Sequence, residues 1–342
     1  MQATHDQLRL SRRLRIAGYR RVVTALLAIL TALFALCLML GQSFTPPQDV
    51  LRVLLGADVP GASFTVGHLR LPRAVLAVLA GFSFGLGGAA FQVMLRNPLA
   101  SPDIIGINSG ASAAAVFAIV ALSLDGPWVA ACAVIAGLGV AALIFGLSFN
   151  NGISGARLIL VGIGVSSMLE SAIAYLLTQA PSWDLQQAMR WLTGSLNGAT
   201  LDQALWLALA LAVFGTILIG QTRNLGMLGL GDDTATALGT DVARTRLVVT
   251  MAAVGLIAVA TAVTGPIAFV AFLSGPIAVR IIGTRGSVLI PAALVGALLV
   301  LAGDYAGQFL LPGRYPVGVV TGAVGAPYLI FLIIRANKTG AN

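Results

Sequence analysis

Leu247 to Val279 reads LVVTMAAVGLIAVATAVTGPIAFVAFLSGPIAV, 33 residues without one Asp, Glu, Lys or Arg. A bilayer core of about 30 Å is crossed by about 20 helical residues, so the stretch is too long for a single crossing. Gly265-Pro266 lies near its middle, and proline both removes a helical hydrogen bond and clashes with the preceding turn. The stretch therefore reads as two short helices that cross and return.

Outward from it, further charge-free intervals run 22–48, 74–95, 104–124, 126–156, 203–222, 286–303 and 315–334, and 158–183 is interrupted only by Glu170. Seven intervals, the interrupted one and two halves of the quoted stretch give ten crossings. Loop charge tests that count. With the N-terminus inside, fifteen of the twenty Lys and Arg fall on the inner side and five, Arg52, Arg70, Arg73, Arg190 and Arg314, on the outer side. A single crossing for 247–279 would move everything after it and reduce the split to 12 against 8, so the positive-inside rule favours ten, with both termini cytoplasmic. The expected organisation is a basic cytoplasmic segment 1–21, one transmembrane domain 22–335 with its largest inner connection at 224–245, and a cytoplasmic tail 336–342.

Composition agrees. The chain of 342 residues is 58% hydrophobic and 9% charged, with mean hydropathy +0.95, whereas soluble domains carry about 25% charged residues. A water-soluble enzyme and a disordered chain are both excluded. The net charge of +8 follows from the inner-face arginines and implies contact with anionic lipid; no recognition motif points to nucleic acid. Six arginines precede Val22. The apolar run Val22 to Leu40 lacks a convincing cleavage site and is long for a signal peptide, so it is read as the first transmembrane helix. Cys37 and Cys132 fall within expected spans and argue for neither a disulfide nor a metal site, and His5 and His68 are solitary.

A phosphate-binding loop needs GxxxxGK[ST], and the one lysine, Lys338, follows Asn337. The chain thus carries no nucleotide-hydrolysing motif. Gly85-Leu86-Gly87 lies in an apolar run with no strand before it and reads as helix packing. The 40 glycines have the same use: small-xxx-small pairs at Gly81/Gly85, Gly106/Gly110, Gly303/Gly307 and Gly318/Gly322 let helices approach closely where lipid gives no hydrophobic drive.

Ionisable groups within spans are the usual functional clue. Glu170, the sole glutamate, lies mid-span beside Ser166, Ser167 and Ser171. It suits the coupling carboxylate of a proton- or cation-driven carrier, or equally a side chain facing water or a neighbouring helix. Asp304 lies near an outer helix end, where hydration is expected. In the 224–245 connection, Asp232 or Asp233 can cap a short helix that Gly239 ends, giving either a docking knob or a solvated loop helix. The outer stretch Pro181 to Thr200, with Trp183 and Trp191 around Asp184 and Arg190, reads as interfacial anchoring or as a helix lying over a pathway. No nucleophile, metal cluster or acid–base pair that would make a membrane enzyme is assembled.

Several of these motifs together resemble a known family. Leu69-Arg70-Leu71-Pro72-Arg73, Gln92, Arg96-Asn97-Pro98-Leu99-Ala100-Ser101-Pro102-Asp103, Gly106 and Ser109-Gly110 are similar to the FecCD-type permeases of ABC importers for iron-siderophores, haem and vitamin B12. Arg157-Leu158 with Gly162, the Gly231–Gly239 string, Gly265-Pro266-Ile267-Ala268-Phe269 and Pro316-Val317-Gly318-Val319-Val320-Thr321 with Gly325 extend the resemblance over about residues 65 to 335. Gly-Ser-Leu-Asn-Gly at 194–198 and Gly-Asp-Asp-Thr-Ala at 231–235 resemble the second permease subunit of ferric-enterobactin-type systems.

The resemblance implies a ten-helix, all-α permease of the type II ABC importers. It would pair with a second, non-identical or identical, permease subunit, two cytoplasmic ATPases that use ATP and Mg, and an external siderophore-binding protein, and would bind no cofactor or metal itself. It further implies docking of the binding protein on Arg70 and Arg73, with Arg314 near a third position that Gln308 leaves vacant. An ATPase-coupling helix is implied at Asp232, Asp233, Ala237, Leu238 and Gly239. An inner gate is implied at 149–156, with Asn151, Gly155 and Ala156, and an outer gate helix at 184–198, with Asp184, Trp191, Gly194 and Gly198. Glu170 would lie near the pathway. The chain departs from the family at Ser274-Gly275-Pro276, where Pro-His is common. The expected cargo is a ferric siderophore, with haem or vitamin B12 as alternatives and an ion-driven carrier as the rival of another class.

Overall fold

The structure, a computed structural model, describes residues 2–101, 106–148 and 155–339. It is all helical, with no strand among the described residues. The N-terminal half comprises α1 (Gln2–Met39), α2 (Pro47–Leu54), α3 (Leu71–Leu95, led in by a π-helical Ser63–Arg70), α4 (Ile107–Val120), α5 (Gly126–Ser148) and α6 (Gly155–Gln179). A short α7 (Ser182–Leu192) precedes α8 (Leu201–Ala210), which continues through a π-helical turn into α9 (Thr216–Gly220). Then follow α10 (Thr222–Leu228), α11 (Asp232–Ala237), α12 (Val242–Thr264), α13 (Val270–Ile282), α14 (Leu289–Tyr305, extended by π-helical Ala306–Leu310) and α15 (Val317–Thr339).

Among the described residues, seven helical runs are long and apolar enough to cross a membrane, and three shorter apolar helices, Ile107–Val120, Val270–Ile282 and Val317–Leu332, accompany them. The quoted stretch breaks where its Gly-Pro pair predicts: α12 ends at Thr264, Gly265 has φ +70°, and α13 starts after Phe269, itself left-handed at φ +64°. Its two parts are unequal, however. The first is a full-length helix of 23 residues, because the Asp241 carboxylate accepts a hydrogen bond from the Arg244 amide at 2.9 Å and starts α12 a turn and a half before the charge-free interval. The second has only 13 residues. Nor is the basic N-terminal stretch separate from the first span, since α1 is continuous from Gln2, and its lower half packs on the α13–α14 turn through Gly18 against Arg285 and Tyr19 against Gly286.

At the centre stands α3. Of its most apolar stretch 78% is buried, against 11% for α6, and the reason lies in its glycines. Gly81 meets the backbone of Gly296 and Ala297 in α14, Gly85 meets that of Ala292 and Ala293, and Gly296 in turn meets Gly81 and Gly85. One turn on, Gly88 rests on the Ala271 carbonyl of α13, and Gly87 takes the Ile257 side chain of α12. A Cβ at Gly81, Gly85 or Gly88 would strike backbone rather than a movable side chain, so close approach here requires glycine. The other expected pairs are also contacts: Gly110 lies against Val140 of α5, Gly303 against Val317 and Thr321 of α15, and Gly318 against the Thr193 carbonyl.

Gly85→Val is therefore expected to lower stability by about 1–3 kcal/mol through overpacking. Gly139→Val, where a Cβ meets open space, is expected to cost much less. Thermal unfolding of the two variants in one detergent checks the difference.

Candidate functional site

Two polar assemblies lie at opposite ends of α3, a helix of 25 residues and so about 37 Å long at about 1.5 Å per residue. At the first end, Arg73 grips Asp304 of α14 with two parallel bonds, Nε to Oδ2 at 2.6 Å and Nη2 to Oδ1 at 2.7 Å, while its Nη1 donates to Asn197 Oδ1 at 2.9 Å. The side chains are 23% and 8% exposed. Asp304 is thus buried and paired, not hydrated as the sequence suggested. Beside it, Arg70 donates from Nη1 to the Leu38 and Met39 carbonyls, at 2.9 and 3.0 Å, and from Nη2 to the Ser43 carbonyl at 2.6 Å. These carbonyls lie where α1 ends and its loop turns, and the Met39 carbonyl also accepts from the Thr45 amide at 2.9 Å. Neither arginine expected to dock a partner is presented as a free cation.

The outer-gate residues converge on this end. The helix runs over Ser182–Leu192 only, with Asp184 in its first turn, and 193–198 is a turn rather than more helix. Gly194, at φ +69°, is pressed against the Pro266 carbonyl in the α12–α13 break, and its own carbonyl accepts from the Gly318 amide at 3.1 Å. The Ser195 amide donates to the Thr264 carbonyl at 2.7 Å, and Gly265 lies against the Trp191 carbonyl. Gly198, also left-handed at φ +74°, stands in open space. The α7 turn, the chain break and the start of α15 are therefore one packed unit, joined to α3 through Asn197 and Arg73. Around it a cavity of about 510 Å³ is lined by Arg190, Trp191 and Arg314, among others.

At the other end the Arg96-Asn97-Pro98 motif acquires a physical reading. The α3 helix ends at Leu95, and Arg96 takes the left-handed position (φ +52°) that glycine usually fills. The Asn97 amide returns to the Gln92 carbonyl at 3.1 Å, and Asn97 Oδ1 accepts from the Leu99 amide at 2.9 Å, which turns the chain and aims the Arg96 guanidinium at Asp232. That carboxylate stands 3.4 Å from Arg96 Nη2 and 2.9 Å from Arg246 Nη2 of α12. Asp232 is thus a clasp between α3, α11 and α12. It does not cap α11, whose N-cap is Gly231. The helix ends as expected: Gly239, at φ +84°, donates to the Thr236 carbonyl and Thr240 to the Ala235 carbonyl, both at 2.9 Å, a Schellman closure. α11 and its closing turn show Asp233, Thr234, Thr236, Ala237, Leu238 and Gly239 to the outside, with Leu238 54% exposed.

Of the expected inner gate, Asn151 lies outside the described residues, and Gly155 and Ala156 open α6. Glu170 is exposed on α6 amid Ile163, Met168 and Tyr175, also exposed, and makes no ion pair among the described residues. The Gly275 position that departs from the family lies under Gln92, whose Nε2 donates to the Phe272 carbonyl at 2.9 Å. Sequence reasoning missed Asp304, Asn197 and Arg246 as members of these assemblies; buried acid within a nearly charge-free segment was the available signal for Asp304.

Comparison with known proteins bears on what the two assemblies serve. The FecCD transport family description matches residues 29–335. The chain is 38% identical over 295 residues to the ferric enterobactin transport system permease protein FepG of Escherichia coli (strain K12), covering 85% of this chain and 88% of that one. It is 37% identical over 334 residues to the achromobactin transport system permease protein CbrC of Dickeya dadantii (strain 3937), covering 96% and 95%. Among solved structures, a metal-chelate type ABC transporter in an inward-facing conformation superposes with TM-score 0.83 at 25% identity, covering 93% of this chain and 100% of that one.

Arg73→Gln and Asp304→Asn are each expected to cost about 3–5 kcal/mol, because each leaves a buried charge or its partner unpaired. The double variant is expected to cost clearly less than the sum. A double-mutant cycle by thermal unfolding measures this, and strict additivity would show that the pair contributes no coupling.

Proposed function

The chain belongs to the FecCD transport family, and from that membership and the packing above we propose that it is the ferric-chelate permease subunit of an ABC importer in a bacterial inner membrane. The observation that carries this reading is the exposed, sharply terminated knob α11, clasped by Arg96 and Arg246 to the two most deeply buried long helices. A multi-pass permease of this family is not itself an enzyme. In the proposed assembly the chain hydrolyses no nucleotide; two ATPase subunits use ATP and Mg, and the chain itself holds neither. In this reading the seven long and three short apolar helices found among the described residues are the ten crossings, with both termini and α11 cytoplasmic.

A second permease subunit covers the face of α6. An exposed Glu170 on a span that is only 11% buried is costly against lipid, so this face meets a partner subunit or the water-filled path between two subunits. A carrier driven by Glu170 alone would need a partner acid or base, and no such group pairs with it among the described residues. The external binding protein docks at the end where Arg70 and Arg73 hold the loops in shape, and delivers its chelate over α7 and the 193–198 turn. Names of the relatives, for ferric enterobactin and achromobactin transport, support an iron-siderophore cargo over haem or vitamin B12.

Mechanically, closure of the ATPases moves α11, and the Asp232 clasp passes that movement to α3 and α12. In a reconstituted complex Leu238→Glu is expected to abolish ATPase co-purification and uptake of iron chelate. Arg246→Gln is expected to retain co-purification while lowering uptake about tenfold or more; equal uptake in that variant would remove the clasp from the mechanism. Uphill accumulation by the purified subunit alone would overturn the reading. Topology is checked with Asp233→Cys and Arg314→Cys in a chain lacking Cys37 and Cys132: a charged thiol reagent added outside intact cells should label position 314 and leave position 233 untouched.

A further inference from the structure

At the outer end of the proposed topology, the cavity of about 510 Å³ beside α7 is lined by two arginines and no acidic residue. Arg190, in the last turn of α7, and Arg314, in the turn before α15, are both exposed, and neither makes an ion pair among the described residues. Their situation is unlike that of other arginines facing the polar assemblies. Arg73, Arg96 and Arg246 are paired to carboxylates, Arg70 is spent on carbonyls, and Arg280 lies 5.3 Å from the Phe331 ring centroid. Trp191, half-buried and packed on the apolar cluster of α4 and α5, lines the same cavity as the two cations. Gln187 and Ser195 add polar groups, and Asn197 at the cavity edge is already held by Arg73.

Two guanidiniums, an aromatic wall and a few amide and hydroxyl groups define a ligand chemistry: negative charge spread over several oxygens on a body that carries flat rings. Guanidinium donors match paired oxygens in a plane, and the indole offers a face for stacking. A cleft of one sign with low-dielectric walls also concentrates the oppositely charged solute at its mouth. The volume falls in the usual range of small-molecule sites, about 300–1,000 Å³.

Resting on the import reading above and deepening it, we propose that Arg190, Arg314 and Trp191 form an entry site for anionic ferric chelates of the catecholate class, and that the site discriminates against neutral chelates. The charges decide the matter by simple addition: ferric iron held by three doubly charged catecholates is trianionic, whereas ferric iron held by three singly charged hydroxamates is neutral. Only the former gains from two unpaired cations. The site lies where α7, the Gly265-Pro266 break and the start of α15 meet, so its occupant touches the three segments that would have to separate for passage.

The test uses the full-length chain assembled with its partner subunits in lipid nanodiscs, without binding protein. Equilibrium titrations are made with a hexadentate ferric tris-catecholate and a hexadentate ferric tris-hydroxamate. The wild-type complex is expected to hold the trianion about tenfold more tightly than the neutral chelate, with the preference shrinking as salt is raised. Arg190→Gln with Arg314→Gln should bring the two chelates within about twofold, whereas Arg190→Lys with Arg314→Lys should retain most of the preference. Arg52→Gln, on the separate helix α2, should leave it unchanged. Equal affinities in the wild type, or an undiminished preference in the double glutamine variant, would overturn the proposal. So would a double glutamine variant that loses binding-protein docking yet keeps its chelate preference, which would assign the arginines to the protein partner. ATP-driven uptake by the wild-type transporter is read separately: its absence with the binding preference intact would sink the import reading and leave the site standing.

Discussion

Backbone touching backbone between α3 and α14 is the constraint on which the molecule depends. Lipid tails are as apolar as leucine, so no hydrophobic gain pulls two spans together, and contact must come from close packing and from polar bonds. Gly81, Gly85 and Gly296 let the two helices approach until a single added carbon on any of them would hit main chain. With α3 locked to α14 and, through Gly88, to α13, its two ends are fixed in space. Only then can Arg73 at one end and Arg96 at the other reach partners distant in sequence.

Charge is spent sparingly around this strut, and position decides its use. The Arg73–Asp304 pair joins residues 231 apart in sequence and is almost out of water. Such a pair adds little net stability compared with an apolar substitute, but it penalises arrangements that separate its members. Its third bond, to Asn197, extends that specificity to the turn after α7. Asp232 does the same at the other end with two arginines on two helices. Arg96 adopts a left-handed backbone, normally unfavourable for a side chain with a Cβ, and the clasp is what its guanidinium gains in that place.

Much of the fold was legible in the sequence, because the features that fix it are local. Charge-free length identifies spans, a Gly-Pro pair identifies the break at 265, glycines four apart identify contact faces, and Gly239 identifies the end of α11. Helix starts were harder: Arg244 and Arg246 hid the first turns of α12 from a criterion based on absent charge, although Asp241 caps it there. The site was legible in its location and not in its wiring. A row of outer arginines looks alike in one dimension, and nothing near Arg73 announces that Asp304 will stand opposite it while Arg190 and Arg314 stay unpaired. Asp232 likewise reads as a helix cap from its neighbours, and only the approach of α3 and α12 converts it to a clasp.

These assignments give the two ends of the molecule different characters, and the difference suits an importer on the proposed reading. At the inner end Arg96 and Arg246 share the one carboxylate of Asp232, so on that reading force delivered to α11 is carried by ion pairs that hold three helices together. At the outer end Arg73 is neutralised by Asp304, Arg70 is held by carbonyls, and Arg190 and Arg314 make no ion pair among the described residues. The neutralised one, Arg73, ties the α7 turn to the same strut that the clasp grips about 37 Å away. A movement of α3 relative to α12 would therefore be felt where Gly194 rests on Pro266, because Arg73 holds one side of that contact and the end of α12 forms the other. Tight glycine packing makes such a strut shift as a unit rather than bend, and α6, the least buried of the long spans, is left to face what lies outside the chain.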